Sequence, residues 1–154
     1  MARRKKWEPG NVVEIKLNDG SFSYGVIIDE PLLAFTKARF TERQEISPEL
    51  FEDVVFQLWV MNSAIGKNGW PVIGEVSLKN LSISEPKFYQ YDIISKRFYH
   101  YVDSSNDIPS TRDGCVGFEC AAVWDKEHVE DRLLANKTGV DCQWEVSLRA
   151  ERRA

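Results

Sequence analysis

The chain has 154 residues, 43% of them apolar and 29% charged, which fits an ordinary globular protein and leads us to expect one domain spanning 1–154. No apolar run approaches the ~20 residues of a helical membrane span, so no membrane partner is expected and the cytoplasm is the expected location. The net charge of −4 is unevenly spread: 1–6 and 149–154 are basic and expected to be mobile tails, leaving 13 basic and 23 acidic residues in 7–148, a body charge of −10 that argues against nucleic acid as the main ligand and suits a basic protein partner.

In chain order, Val13, Ile15 and Leu17 alternate with Val12, Glu14 and Lys16, the pattern of a strand with one apolar face. Asn18-Asp19-Gly20 is turn chemistry, because these residues tolerate the positive φ of tight hairpins. Phe22–Ile28 is the return strand. Gly25 at its centre weakens a strand unless a neighbour comes close or the strand bends, and we expect a bend. Asp29-Glu30-Pro31 breaks the run, and Leu32–Phe40 reads as a third strand. Thr41–Pro48 is polar. Pro48–Phe51 predicts one helical turn, with Ser47 as its cap and Pro48 in the first helical position. Val54–Met61 is a nearly continuous β-rich run, read as a central strand. Gly66-Lys67-Asn68-Gly69 is a turn, Trp70–Ile73 leads to Gly74, and Val76–Leu81 reads as an edge strand.

Phe88–Tyr91 and Arg97–Val102 predict a second hairpin around Ile94-Ser95-Lys96, and Asp103–Gly114 a long polar loop. Trp124–Asn136 is the one convincing helix. Val129, Leu133 and Trp124 share a face, Lys126, Glu127, Glu130 and Asp131 lie opposite, and Gly139 marks the stop. Cys142, Trp144, Val146 and Leu148 alternate and predict a final strand. The fold class so read is α+β, β-dominated: a strongly bent antiparallel sheet or partly open barrel with one C-terminal helix.

The residues carry no catalytic signature. Cys115, Cys120 and Cys142 are odd in number and expected to be reduced and buried; they offer no four-ligand zinc set. His100 and His128 are the only histidines. His128 sits in Asp125-x-x-His128-x-x-Asp131, whose spacing drifts across a helix face, and pairing Cys115 or Cys120 with either histidine makes a dyad only on paper. There is no nucleophile elbow and no phosphate-cradling loop. No metal, cofactor or catalytic residue is expected.

Gly10-Asn11-Val12-Val13 with Ile15-Lys16-Leu17, then Asp19-Gly20, Tyr24-Gly25-Val26-Ile27, and Trp70-Pro71-Val72-Ile73-Gly74 after the central strand resemble the immunity protein 26 family of bacterial polymorphic-toxin systems, over Trp7 to about Tyr101. The resemblance implies a mostly-β protein that neutralises a cognate protein toxin. It also implies an alternative, a small phosphotriesterase-like hydrolase. A binuclear-metal phosphotriesterase needs several histidines plus carboxylates, and this chain has two histidines. A non-catalytic β-module for another protein partner is the third reading.

For the binding reading, Glu42, Glu45, Glu49, Glu52 and Asp53 cluster in one short segment, and Asp103, Asp107 and Asp113 lie in the long loop. Toxins that attack nucleic acid are basic at the active site, so an acidic face would speed association and exclude the substrate. Tight interfaces add aromatic anchors inside a charged rim. Trp70, just past a glycine-rich turn, is either such an anchor or part of the core; Trp59 and Trp144 are expected in strands.

Overall fold

The computed structural model describes residues 6–101 and 107–153. In chain order its elements are β1 (Asn11–Lys16), β2 (Phe22–Asp29), β3 (Leu32–Thr36), β4 (Val54–Val60), β5 (Val72–Glu75), β6 (Phe88–Asp92), β7 (Arg97–Tyr101), β8 (Asp107–Ser110), α1 (Arg112–Cys115), β9 (Glu119–Cys120), β10 (Val123–Trp124), α2 (Lys126–Thr138) and α3 (Gln143–Ser147). Short 3-10 turns fall at Pro48–Phe51, Asn62–Ala64, Leu78–Asn80 and Ala150–Arg152. These elements form two compact units: the chain up to Ser84 with Val123–Val140, and Glu85–Ala122 with the chain from Asp141 onward.

The first unit is an open six-stranded sheet in the order β10-β4-β3-β2-β1-β5, antiparallel except for β10 beside β4. The first hairpin forms as its turn residues dictate: Gly20 takes φ +85°, and the Asp19 carboxylate accepts the Ser21 N–H at 3.0 Å. Lys137, near the end of α2, donates to both Asp19 and Ser21 and ties helix to turn. Those bonds, with the Ser21 hydroxyl and backbone N–H, hold the Asp19 carboxyl well below the usual carboxylate range.

The single apolar face expected of β1 is not what forms: Val12, Val13 and Ile15 are all fully buried, and Glu14 with them at 8% exposure. The reason is that both faces of the sheet are covered. On one face α2 packs through buried Val129 and Leu133, and the Arg132 guanidinium lies 4.2 Å from the Phe56 ring centre and 5.2 Å from that of Trp124. On the other face Val12, Tyr24, Val26 and Ala34 meet Leu50 and Phe51, with Ile46, Leu78, Leu81 and Ile83 packed around them. Gly25 serves close approach: a Cβ there would sit 3.2 Å from two Phe35 ring carbons and 3.3 Å from Val13 Cγ2.

Several boundaries differ from expectation, each for a local reason. β3 stops at Thr36, whose hydroxyl accepts the Ala38 N–H at 3.2 Å, and Phe40 returns only as an isolated bridge to Phe22. The edge strand is β5, Val72–Glu75, and not Val76–Leu81, where Leu78–Asn80 closes a 3-10 turn. The helix starts at Lys126 because the Asp125 side chain caps the His128 N–H, and it ends at Gly139, left-handed at φ +76°.

The second unit is a four-stranded sheet in the order β8-β7-β6-β9, with β9 parallel to β6. β6 and β7 form the expected hairpin. Asp92 accepts the N–H groups of Ile94 and Ser95, bonds that keep its carboxyl below the ordinary range, and Lys96 takes φ +59°. The expected polar loop contains β8 and α1; Val102 and 103–106 lie outside the described residues. The final strand expected at Cys142–Leu148 is a correction: it is the helix α3, because Glu145 and Arg149 meet at 2.8 Å one helical turn apart and Val146 donates to the Cys142 carbonyl. Helices at α1, α2 and α3 replace the single one expected, and the described sheets do not close into a barrel.

Residues 149–153 also depart from the expected mobile tail. Ala150 is buried among Tyr89, Phe98, Cys115 and Cys120, and Tyr89 donates its hydroxyl proton to the Leu148 carbonyl. Burial, the largest influence, pushes the Tyr89 hydroxyl up to about 12. Of the N-terminal basic stretch only Lys6 is described; its ammonium donates to the Ile65 carbonyl at 3.1 Å.

Candidate functional site

The acidic segment runs from Thr41 to Asp53 between β3 and β4. Its apolar residues face inward: Leu50 and Phe51 are buried by the 3-10 turn at Pro48–Phe51, and Ile46 lies against Gly74, where an added Cβ would come 3.0 Å from Ile46 Cγ1. Ser47 precedes that turn without a side-chain cap, and Pro48 occupies its start as expected. With the apolar residues used as anchors, Glu42, Glu45, Glu49, Glu52 and Asp53 are all exposed.

A polar triad, with Glu14 and Tyr24 buried and Arg43 largely exposed, ties residues 43 and 44 to the sheet. Glu14 and Tyr24 are cross-strand partners on β1 and β2. Tyr24 donates its hydroxyl proton to Glu14 Oε2 at 3.1 Å and accepts the Gln44 N–H at 2.8 Å. Arg43 Nε reaches Glu14 Oε1 at 3.1 Å. Burying a carboxylate is costly unless it is paired and hydrogen-bonded, and these contacts supply both. Burial raises the Tyr24 pKa; the Gln44 N–H opposes the shift and the Glu14 charge adds to it.

The triad has an electrostatic consequence. Arg43 is the only basic residue between Thr41 and Asp53. Its guanidinium pairs with Glu14 while its side chain stays 76% exposed, so the pair is neutral as a unit and the five exposed carboxylates have no second basic residue within the segment. Nothing in the alternation of the first strand distinguished Glu14 from a solvent-facing residue, and its partners lie 10 and 29 positions along the chain.

Trp70 takes the core position of the two open to it. It is 3% exposed, stands edge-on to Phe35 at 5.8 Å, and donates its indole N–H to Glu130 at 2.8 Å. The turn before it closes by Trp70 N–H to the Ala64 carbonyl, 2.6 Å; a Cβ on Gly69 would sit 2.0 Å from that oxygen, so only glycine fits. Trp59 is half-buried on β4, and Trp144 lies on α3. Asp107 and Asp113 are exposed in the second unit, and Asp103 lies outside the described residues.

Among the described residues no three of His, Cys, Asp and Glu are grouped to hold a metal ion. The His128 ring lies 3.4 Å from the Asp125 carboxylate that caps its helix. His100 stands edge-on to Phe118. All three cysteines are reduced and buried: the Cys115 thiol points at the Tyr99 carbonyl, 3.8 Å away, and Arg153 donates to the Cys120 sulfur at 3.7 Å.

The fold is that of an α+β, β-dominated protein, and Glu42, Glu45, Glu49, Glu52 and Asp53 are exposed on its first unit. No helix of the described chain is long and apolar enough to cross a membrane. The family model for immunity protein 26 matches residues 8–100, well over half of the chain, and the protein belongs to that family. Membership implies a toxin-neutralising role exercised by binding a cognate toxin. No curated protein and no solved structure matches the chain.

Proposed function

We propose that this protein neutralises a basic, nuclease-type toxin in the cytoplasm by binding it through the acidic surface at Glu42, Glu45, Glu49, Glu52 and Asp53. The observation that supports the reading is the exposure of these five carboxylates on a segment tied to the sheet by the contacts of Arg43 and Gln44 with Glu14 and Tyr24 and by buried Leu50 and Phe51. A pre-organised charged surface loses less freedom on binding than a loose loop, and its field steers an oppositely charged partner during diffusion. Trp70 contributes through the fold that carries this surface.

The test is association kinetics against the toxin domain encoded beside this gene, at two ionic strengths. Glu42→Gln, Glu45→Gln and Glu49→Gln together slow association at low salt and change it little at high salt, because the Debye length falls from about 10 Å at 0.1 M to about 3 Å at 1 M. Salt-independent association with no effect of the triple substitution refutes the acidic surface as the binding site.

A further inference from the structure

Charge seldom supplies the lifetime of a complex; buried apolar side chains at the centre of the interface do. With Trp70 in the core, an apolar anchor for the acidic surface must come from elsewhere on the same unit. β5 meets that need. It is the last strand of the six-stranded sheet, among the described residues its only strand partner is β1, and Val72 and Ile73 are 36% and 38% exposed on it. The acidic segment reaches this edge. Arg43 meets Glu14 on β1, the Gln44 N–H meets Tyr24 on β2, and Ile46 lies against Gly74 on β5, so the segment that carries Glu42, Glu45 and Glu49 touches this strand at Ile46. An open groove of about 550 Å³, lined by Pro9, Glu75, Val76, Ser77, Leu78 and Lys79, begins at the last residue of the strand.

We infer that β5 is a docking edge for an extended segment of the toxin that alternates apolar residues with lysine or arginine. Its backbone pairs with β5, its apolar side chains cover Val72 and Ile73, and its cations meet the carboxylates at Glu42, Glu45 and Glu49. Strand addition of this kind draws affinity from main-chain hydrogen bonds and specificity from alternate side chains. The β1–β5 register shifts between Val12 and Val13, so that Ile73 is the extra residue of a bulge. A short, bulged edge resists indiscriminate sheet extension. It leaves an acidic, apolar-tipped edge that selects a basic strand, the complement that the charge of the segment requires.

The inference rests on the toxin-binding reading, and the experiment separates the two. Val72→Thr and Ile73→Thr together keep the β-branched shape and the charge but remove exposed apolar surface. In surface-plasmon kinetics with the same toxin domain, the double variant should leave association unchanged and speed dissociation about tenfold or more. Amide hydrogen exchange should show new protection at one or more of Val72, Ile73 and Gly74 in the complex. Ile94→Thr, at the 91% exposed tip of the β6–β7 hairpin, should dissociate as wild type. Unchanged dissociation and exchange at β5, with the triple carboxylate variant still slow to associate, would overturn the docking edge and leave the acidic-surface reading standing. So would loss of binding in Ile94→Thr, or concentration-dependent protection of β5 in the toxin-free protein, which would place a second copy there. Absence of any wild-type binding removes both readings.

Discussion

Gly25→Val tests whether packing or bending explains glycine in the middle of β2. A Cβ alone would come 3.2 Å from Phe35 Cδ1 and Cε1 and 3.3 Å from Val13 Cγ2. Neither neighbour can swing aside: both are fully buried, and the Phe35 ring is held 5.5 Å from Phe56 and 5.8 Å from Trp70. The two extra methyl groups of valine have no space, and overpacking of this kind costs about 1–3 kcal/mol. Removing glycine from a strand interior returns about 0.5–1 kcal/mol of backbone entropy. The net loss is then about 0–2.5 kcal/mol, centred near 1, or a Tm lower by up to about 10 °C for a chain of this size. Alanine carries the crowding of one methyl group against the same entropic gain, and should fall near neutral. Thermal and urea unfolding followed by tryptophan fluorescence suits the question, since Trp7, Trp59, Trp70 and Trp124 all belong to the first unit. Phe35→Leu should lose stability alone yet be less costly in the Gly25→Val background, a coupling that a double-mutant cycle reads directly. A Gly25→Val protein as stable as wild type, with no coupling to Phe35, would refute the packing account.

Tyr24→Phe removes a hydrogen bond to buried Glu14 and the acceptor of the Gln44 N–H, and should cost about 1–3 kcal/mol in urea unfolding while speeding amide exchange at Gln44. Trp70→Ala should lower stability by about 3–5 kcal/mol through a core cavity, and toxin dissociation from the folded fraction should be unchanged. The Asp19 carboxyl is held below its unfolded value of 3.8, so the stability it contributes is present above that pH and is lost as pH falls toward the folded value. Asp19→Asn should therefore be less stable than wild type at pH 7, with the gap closing through the acid range; a constant gap refutes the ion pair with Lys137. Burial holds the Tyr89 hydroxyl up to about 12, so ultraviolet titration should show a tyrosine that ionises only near that pH and is missing in Tyr89→Phe.

Local chemistry was legible in the sequence wherever it acted alone. The hairpin at Asn18–Gly20, the turn at Pro48–Phe51, the strand at Val54, the hairpin about Lys96 and the helix ending at Gly139 each rest on residues whose own φ preferences, capping groups or periodicity decide the outcome. The family resemblance was carried by the same short-range patterns, and the clustering of Glu42 to Asp53 needed only counting. What covers a strand is another matter. The pattern of β1 cannot say that α2 lies over one face and residues 46–51 over the other, so it could not bury Glu14 or pair it with Tyr24 and Arg43. Trp70 had two available places until the distant Glu130 supplied an acceptor for its indole N–H. The alternation at Cys142–Leu148 suited a strand, and the Glu145–Arg149 pair with the backbone bond from Val146 to Cys142 made it a helix. Periodicity records which side chains avoid water; only the tertiary fold decides which partner excludes it, and a buried polar group is stable only where that partner also completes its hydrogen bonds.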